Sequence, residues 1–304
     1  MNTKFMDLML EKCAFPRDAV EFFDSLALRV REAGLEDEFD GIVNFYFDSD
    51  CDTDATTARL SAFGEKISAA TDSCWMLLLL LAAERAKVLY DKRGVSDEVF
   101  FDTFSDLRCK ALECLEENGV WGTFVAGWYR LFYTCRIIKF GRLEYEDARY
   151  DRAEPFCVGD VRLEGGDPVK SIHIPSSGEP FDLEARLASY RAAYEFYSRE
   201  SGNDKLCCIC SSWLLFPDYE NILSPKSNIV SFMHDFDVTH RYEKDEFHDD
   251  WRLFGHAHRL PVAEYPEDTS MRRAVKKFLL DGNRTGEGFG VLVFDGKKLL
   301  TERR

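Results

Sequence analysis

Up to about residue 135 the apolar positions recur at helical spacing. Ala19, Phe22, Phe23, Leu26 and Val30 make one stripe, three and four residues apart. A more apolar helix is predicted from Ser73 to Lys92, stopping at Gly94; its greasiest stretch, Trp75–Ala83, holds Leu77–Leu81. Ser96 suits an N-cap, with Asp97 and Glu98 in the first turn where the helix dipole favours anions. The helix it opens turns Phe100, Phe104, Leu107, Ala111 and either Cys114 or Leu115 inward and ends near Asn118-Gly119. A further aromatic-rich helix is expected over Thr123–Tyr133.

Beyond residue 135 the period shortens. Cys135–Glu146 and Phe156–Leu163 are predicted strands, followed by a turn at Gly165-Gly166-Asp167 and a third strand, Val169–Ile174, closed by Pro175. A helix follows with Leu183, Leu187, Tyr190, Tyr194 and Tyr197 on one face. Leu206–Leu214 and Ile229–Val238 are expected as neighbouring central strands. A helix with Met271, Ala274, Val275, Phe278 and Leu279 inward and a strand at Phe289–Phe294 complete the pattern. The order gives an α+β protein, a helical domain over 1–134 and a layered mixed-sheet domain over 135–304.

Composition narrows the function classes. At 304 residues, 45% hydrophobic, the chain can bury two cores. A net charge of −16 repels phosphate backbones and anionic lipid, which argues against nucleic-acid or membrane partners. The Trp75–Ala83 run is far shorter than the ~20 residues that cross a bilayer. Met1–Phe15 mixes charges and has no apolar segment, so a secretion signal is not expected and the location predicted is cytoplasmic. The ten cysteines then read as reduced, mostly buried thiols.

Several short segments occur in an order that resembles a known family: Asp102-Thr103-Phe104-Ser105-Asp106-Leu107, Phe140-Gly141-Arg142-Leu143-Glu144-Tyr145, His173-Ile174-Pro175, Cys210-Ser211-Ser212-Trp213-Leu214-Leu215, Ser227-Asn228-Ile229 and Thr269-Ser270-Met271-Arg272-Arg273-Ala274. Together, over roughly 90–294, they resemble the acyltransferase-domain proteins of gut-type bacteria. That family pairs a helical N-acyltransferase-type domain with a GNAT-like C-terminal domain. The resemblance implies transfer of an acyl group from acyl-CoA or acetyl-CoA to an amine on a small molecule or peptide. The alternative is an inactive GNAT-like fold that binds such a molecule.

The resemblance also implies a pyrophosphate held on main-chain N–H groups where a helix follows a central strand, approached through a glycine turn. After 206–214 stand Leu215-Phe216-Pro217-Asp218-Tyr219, with no glycine. Asn283–Gly288 offers Gly286 and Gly288 instead, though a strand follows; a simple turn explains those glycines too. Arg272, Arg273 and Lys276 form basic rows that could collect phosphate, or face solvent.

Glu144 or His173 has the chemistry of a general base, and Arg142 shares a strand face with Glu144; a structural ion pair and a core histidine are the alternative. Ser212 and Trp213 at one strand end, with Ser227 and Asn228 opening the next, could orient substrate, or cap turns locally. The expectation is that the strands at 206–214 and 229–238 diverge around the ligand. His248-Asp249-Asp250 and His256-Ala257-His258, with His-x-His on a strand, fix no metal geometry, and no metal is expected.

Overall fold

The greasiest run of the sequence lies inside a helix of 22 residues, Thr71–Lys92, that is buried on nearly every side. The computed structural model describes residues 1–247 and 249–303, and the chain divides into two units. The first comprises Met1–Lys139 and Pro175–Ser177. It is built from α1 (Lys4–Lys12), α2 (Arg17–Glu32), α3 (Glu36–Asp48), α4 (Thr53–Ile67), α5 (Thr71–Lys92), α6 (Asp97–Phe104), α7 (Asp106–Asn118) and α8 (Arg130–Tyr133). Helices α1, α2, α4, α7 and α8 all pack on α5.

Two helix predictions need correction here. The helix opened by Ser96, whose Oγ accepts from Val99 N, breaks at Ser105 rather than running to Asn118. The Ser105 hydroxyl donates back to Asp102 O at 2.6 Å, a local bond that competes with the helical ladder. The segment 123–133 is a 3-10 turn, Ala126–Tyr129, followed by the four residues of α8.

The strands are β1 (Ile137–Phe140), β2 (Leu143–Arg149), β3 (Phe156–Val158), β4 (Val161–Leu163), β5 (Pro168–His173), β6 (Leu206–Ser212), β7 (Asp237–Glu243) and β8 (Gly286–Phe294). Between them lie α9 (Leu183–Ser201), α10 (Tyr219–Ile222), α11 (Asn228–Met233), α12 (Asp250–Phe254) and α13 (Ser270–Leu280). Six strands form a mixed sheet in the order β1-β2-β5-β6-β8-β7, and β3 pairs with β4 as a separate hairpin. The segment expected as one strand at 135–146 is thus β1, a turn and β2.

Helix α9 makes the crossover between β5 and β6, which run parallel. It covers the face carrying Tyr145, whose hydroxyl meets Ser189 Oγ at 2.8 Å, while Tyr197 OH donates to Tyr145 O. On the opposite face, Val169, Ile209, Phe289, Val291 and Val293 pack with Phe156 and Leu163 of the hairpin. Among the described residues no single helix is long and apolar enough to cross a membrane.

The segment expected as a strand at 229–238 is the helix α11 and only the start of β7. Ser227 decides this: its Oγ accepts from Ile229 N at 3.2 Å and caps a helix.

Candidate functional site

The parallel strands β5 and β6 touch for a short distance only. Their register is Lys170↔Cys208 and Ser171↔Ile209, and no pairing continues to Ile172, His173 or Cys210–Ser212. On their other edges both stay fully paired, β5 with β2 from Pro168 to His173 and β6 with β8 from Leu206 to Ser212. The sheet therefore opens between β5 and β6 at their C-terminal ends. Beyond Ser171 and Ile209 the β5–β6 register stops, and a ligand can lie where the two strands part. The expected divergence of 206–214 from 229–238 is overturned. Strand β6 is zipped to β8, and the parting strands are β5 and β6.

Side-chain alternation then decides what faces the opening. On the face opposite α9, Glu144 lies directly across from His173, with Glu146 two residues along the same strand. The His173 imidazole reaches Glu146, Nε2 to Oε2 at 3.0 Å. Glu144 is buried, whereas Glu146 and His173 are partly open. Ser211 is exposed on the same face. The grouping of Glu144 with His173 was visible as a sequence expectation; Glu146 was not, although its position two residues beyond Glu144 on a strand is the signal that finds it.

Arg142 precedes β2 in its turn, and its guanidinium stands 5.0 Å from the Phe181 ring centroid. Ser212 and Trp213 end β6. The Ser212 hydroxyl accepts from Leu214 N at 3.1 Å, and the Trp213 ring packs edge-on against Tyr219 and Phe247. Ser227 and Asn228 open α11 rather than a strand.

The basic residues of α13 are engaged near home. Arg272 donates to Asp268 and to Leu253 O, Arg273 to Glu267 O, and Lys276 to Glu267 and Tyr265 O. Gly286 and Gly288 lie inside β8, not in a turn. A Cβ on Gly288 would run into the Leu215 main chain, 2.7 Å from its carbonyl carbon, and one on Gly286 would meet the Phe216 ring at 2.7 Å. These glycines let β8 pass beneath neighbouring backbone.

The strand-to-helix junction of the parallel crossover is 174–182, after β5, not 215–219 after β6. Gly178 lies in it with φ +75°. Helix α9 is capped by Asp182, whose carboxylate accepts from Ala185 N at 2.9 Å, and Glu184 follows in its first turn. The start of α9 is anchored from below. Arg186, fully buried, donates to both oxygens of Asp235, at 2.6 and 3.4 Å, and to Phe181 O and Ser231 Oγ.

Thiol chemistry finds no support on β6. Burial pushes Cys207 up to about 11 and Cys210 up to about 12, so both remain protonated. His256 and His258 lie on a 3-10 turn instead of a strand, and His248 lies outside the described residues. Among the described residues no cluster of His, Cys, Asp or Glu has the makings of a metal site.

Comparison with known proteins bears on this geometry. The model of the N-acyltransferase N-terminal domain matches residues 4–135, and that of the GNAT-like C-terminal domain matches residues 137–292, half of the chain. The chain belongs to this family. Its GNAT-like domain begins at β1 and contains the β5–α9–β6 crossover. A search of curated proteins finds no match. Solved structures that resemble the chain include an acyltransferase in complex with CoA and 10C-teicoplanin, at 22% identity and TM-score 0.63, over 73% of this chain and 66% of that one. Another is an acyltransferase in complex with decanoyl-CoA and teicoplanin, at 20% identity and TM-score 0.71, over 95% and 87%. A third, an acyltransferase variant in complex with octanoyl-CoA, has 19% identity and TM-score 0.72, over 95% and 87%. At these identities the likeness establishes a shared fold.

Proposed function

We propose that this protein transfers an acyl group from acyl-CoA to an amine, with the thioester lodged between the parting ends of β5 and β6. The observation that carries this is the two-pair register of β5 and β6 between strands that are otherwise fully paired. An extended pantetheine-like chain can take up the main-chain groups left by the parting. N–H groups on the inner edge of β6 beyond Ile209 can polarise a thioester carbonyl, the role of preorganised donors in acyl transfer. The solved acyltransferases of similar fold hold CoA, octanoyl-CoA and decanoyl-CoA, which supports a CoA thioester as donor.

The chemistry at the opening is general-base catalysis. Once neutral, the amine nitrogen attacks the carbonyl carbon; the C–N bond forms, and the C–S bond breaks as the thiolate leaves. His173 takes the proton released from nitrogen, and Glu146, 3.0 Å away, orients the ring and stabilises the imidazolium. The proton then passes to the departing thiolate, giving an amide and free CoA thiol. Glu144 sits across the same strand pair, buried beside the histidine.

A non-catalytic binding protein is the second reading. It draws on the acidic opening turn of α9, where Asp182 and Glu184 oppose a phosphate. Calorimetric titration with acetyl-, octanoyl- and decanoyl-CoA, followed by mass-spectrometric search for amide product with an amine panel, separates the two. Binding and product support transfer, and binding without product supports the second reading. No heat with any CoA thioester overturns transfer and leaves the second reading.

A further inference from the structure

At the same end of the sheet lies a second cavity, outside the His173 site. Strand β8 runs antiparallel to β6, so Gly288, near its start, faces Ser212 at the β6 end; β7 ends beside Gly286. The chain leaving β7 therefore begins at the same end of the sheet, with β8 between it and β6. There Phe247, Trp251, Tyr265, Val262 and Leu279 wall a cavity of about 490 Å³, with the carboxylates of Glu246 and Asp250 and the His258 ring in its lining. That volume falls within the ~300–1,000 Å³ range usual for small-molecule sites.

Its chemistry is selective. The walls are aromatic and aliphatic, and the charged groups in the lining are acidic. Asp250 is held in place: Oδ1 accepts from Trp251 N at 2.9 Å and lies 3.4 Å from His258 Nδ1, and Oδ2 accepts from Tyr265 OH at 3.3 Å. Basic side chains of the flanking elements have partners of their own. Lys276 is bound to Glu267 and Tyr265 O, Arg272 to Asp268, and Arg252 to Asp249. The Arg252 guanidinium lies 4.2 Å from the Trp251 ring centroid, an arrangement in which an indole face meets a cation. Phe247 is backed by Trp213, the first residue after β6, at 5.8 Å between ring centroids. The cavity wall thus continues into the end of the strand that borders the opening.

We infer that this cavity binds a protonated amine carried on a flat aromatic or apolar scaffold, and that this is the acceptor side of the reaction. The second half of that statement rests on the acyl-transfer reading; the first half does not. The aromatic walls take the scaffold, Glu246 and Asp250 attract the ammonium, and a net charge of −16 favours cation approach from solvent. Before attack the ammonium gives up one proton to solvent, so the carboxylates serve binding and His173 serves the chemistry.

The test uses the full chain without any CoA. Ligand-observed NMR and calorimetry measure 2-phenylethylamine against 2-phenylethanol and phenylacetate. The amine is expected to bind at least tenfold more tightly than either analogue. Trp251→Ala should cost tenfold or more and Glu246→Gln several-fold. Near-ultraviolet dichroism of each variant checks that it folds. Equal binding of the three probes, no binding of the amine, or full affinity in folded Trp251→Ala would overturn the inference. Amine binding in a protein that ignores every acyl-CoA would keep the cavity assignment and remove the acyl-transfer reading.

Discussion

The start of α9 is held by one buried ion pair, and cutting it has a calculable effect. Arg186 is fully buried and Asp235 almost so. Replacing Asp235 by Ala removes both guanidinium contacts, at 2.6 and 3.4 Å, and the acceptor of Tyr190 OH at 2.8 Å. Phe181 O and Ser231 Oγ remain, but no charge balances the arginine. Breaking one partner of such a pair costs about 3–5 kcal/mol. With a urea slope of about 2 kcal/mol/M, the midpoint for this unit should fall by about 1.5–2.5 M. Replacing both partners, as Arg186→Met with Asp235→Leu, should recover most of the loss, because the pair itself contributes little net stability. Urea titration followed by hydrogen exchange on α9 peptides isolates this unit from the helical one. An Asp235→Ala midpoint within 0.3 M of the parent, or a double variant as unstable as the single, would refute the reasoning. Because α9 starts at the junction after β5, the single variant should also weaken octanoyl-CoA binding, and the double variant restore it.

The remaining predictions follow from the opening and the glycines. Gly288→Ala should destabilise the sheet unit by about 1–3 kcal/mol, since the Leu215 main chain must move; a loss of CoA binding at unchanged thermal stability would instead restore the phosphate role for that glycine. His173→Gln should lower kcat by about 10²–10⁴-fold with a smaller change in KM, while Glu146→Gln should lower it less, as befits a residue acting through the imidazole. Comparable steady-state losses in KM alone would count against the base assignment. Asp182→Asn keeps the cap on Ala185 N yet removes a negative charge from the α9 start, so calorimetry should show CoA bound about two- to fivefold more tightly at low salt. Unchanged affinity would place the phosphates elsewhere.

Much of the fold was legible in local pattern. Helices α5 and α9 announced themselves through length and spacing, and β5 through alternation closed by Pro175. What failed did so for physical reasons. Ile229, Val230, Phe232 and Met233 form a short apolar run, which helix and strand share, and only the cap on Ser227 separates them. The break at Ser105 depends on one hydroxyl bonding back to the chain. The neighbours of β6 are a matter of topology: spacing along the chain does not reveal that β8 inserts between β6 and β7, or that β5 is the parallel partner. Once that partner is known, the strand-to-helix junction, with Gly178 in it, is seen to follow β5 rather than β6, and the face shared by Glu144, Glu146 and His173 follows from alternation. Gly286 and Gly288 had the spacing of a phosphate loop but stand in a strand, where a missing side chain means close backbone packing.

Hydrogen exchange with and without saturating octanoyl-CoA tests the opening of the sheet most directly. The account predicts new protection confined to the facing edges of β5 and β6 where they part, at 172–174 and 210–213, with β7 and the β8 segment 286–294 unchanged. Protection centred on 283–288 or on α13, with 172–174 and 210–213 unaffected, would contradict it.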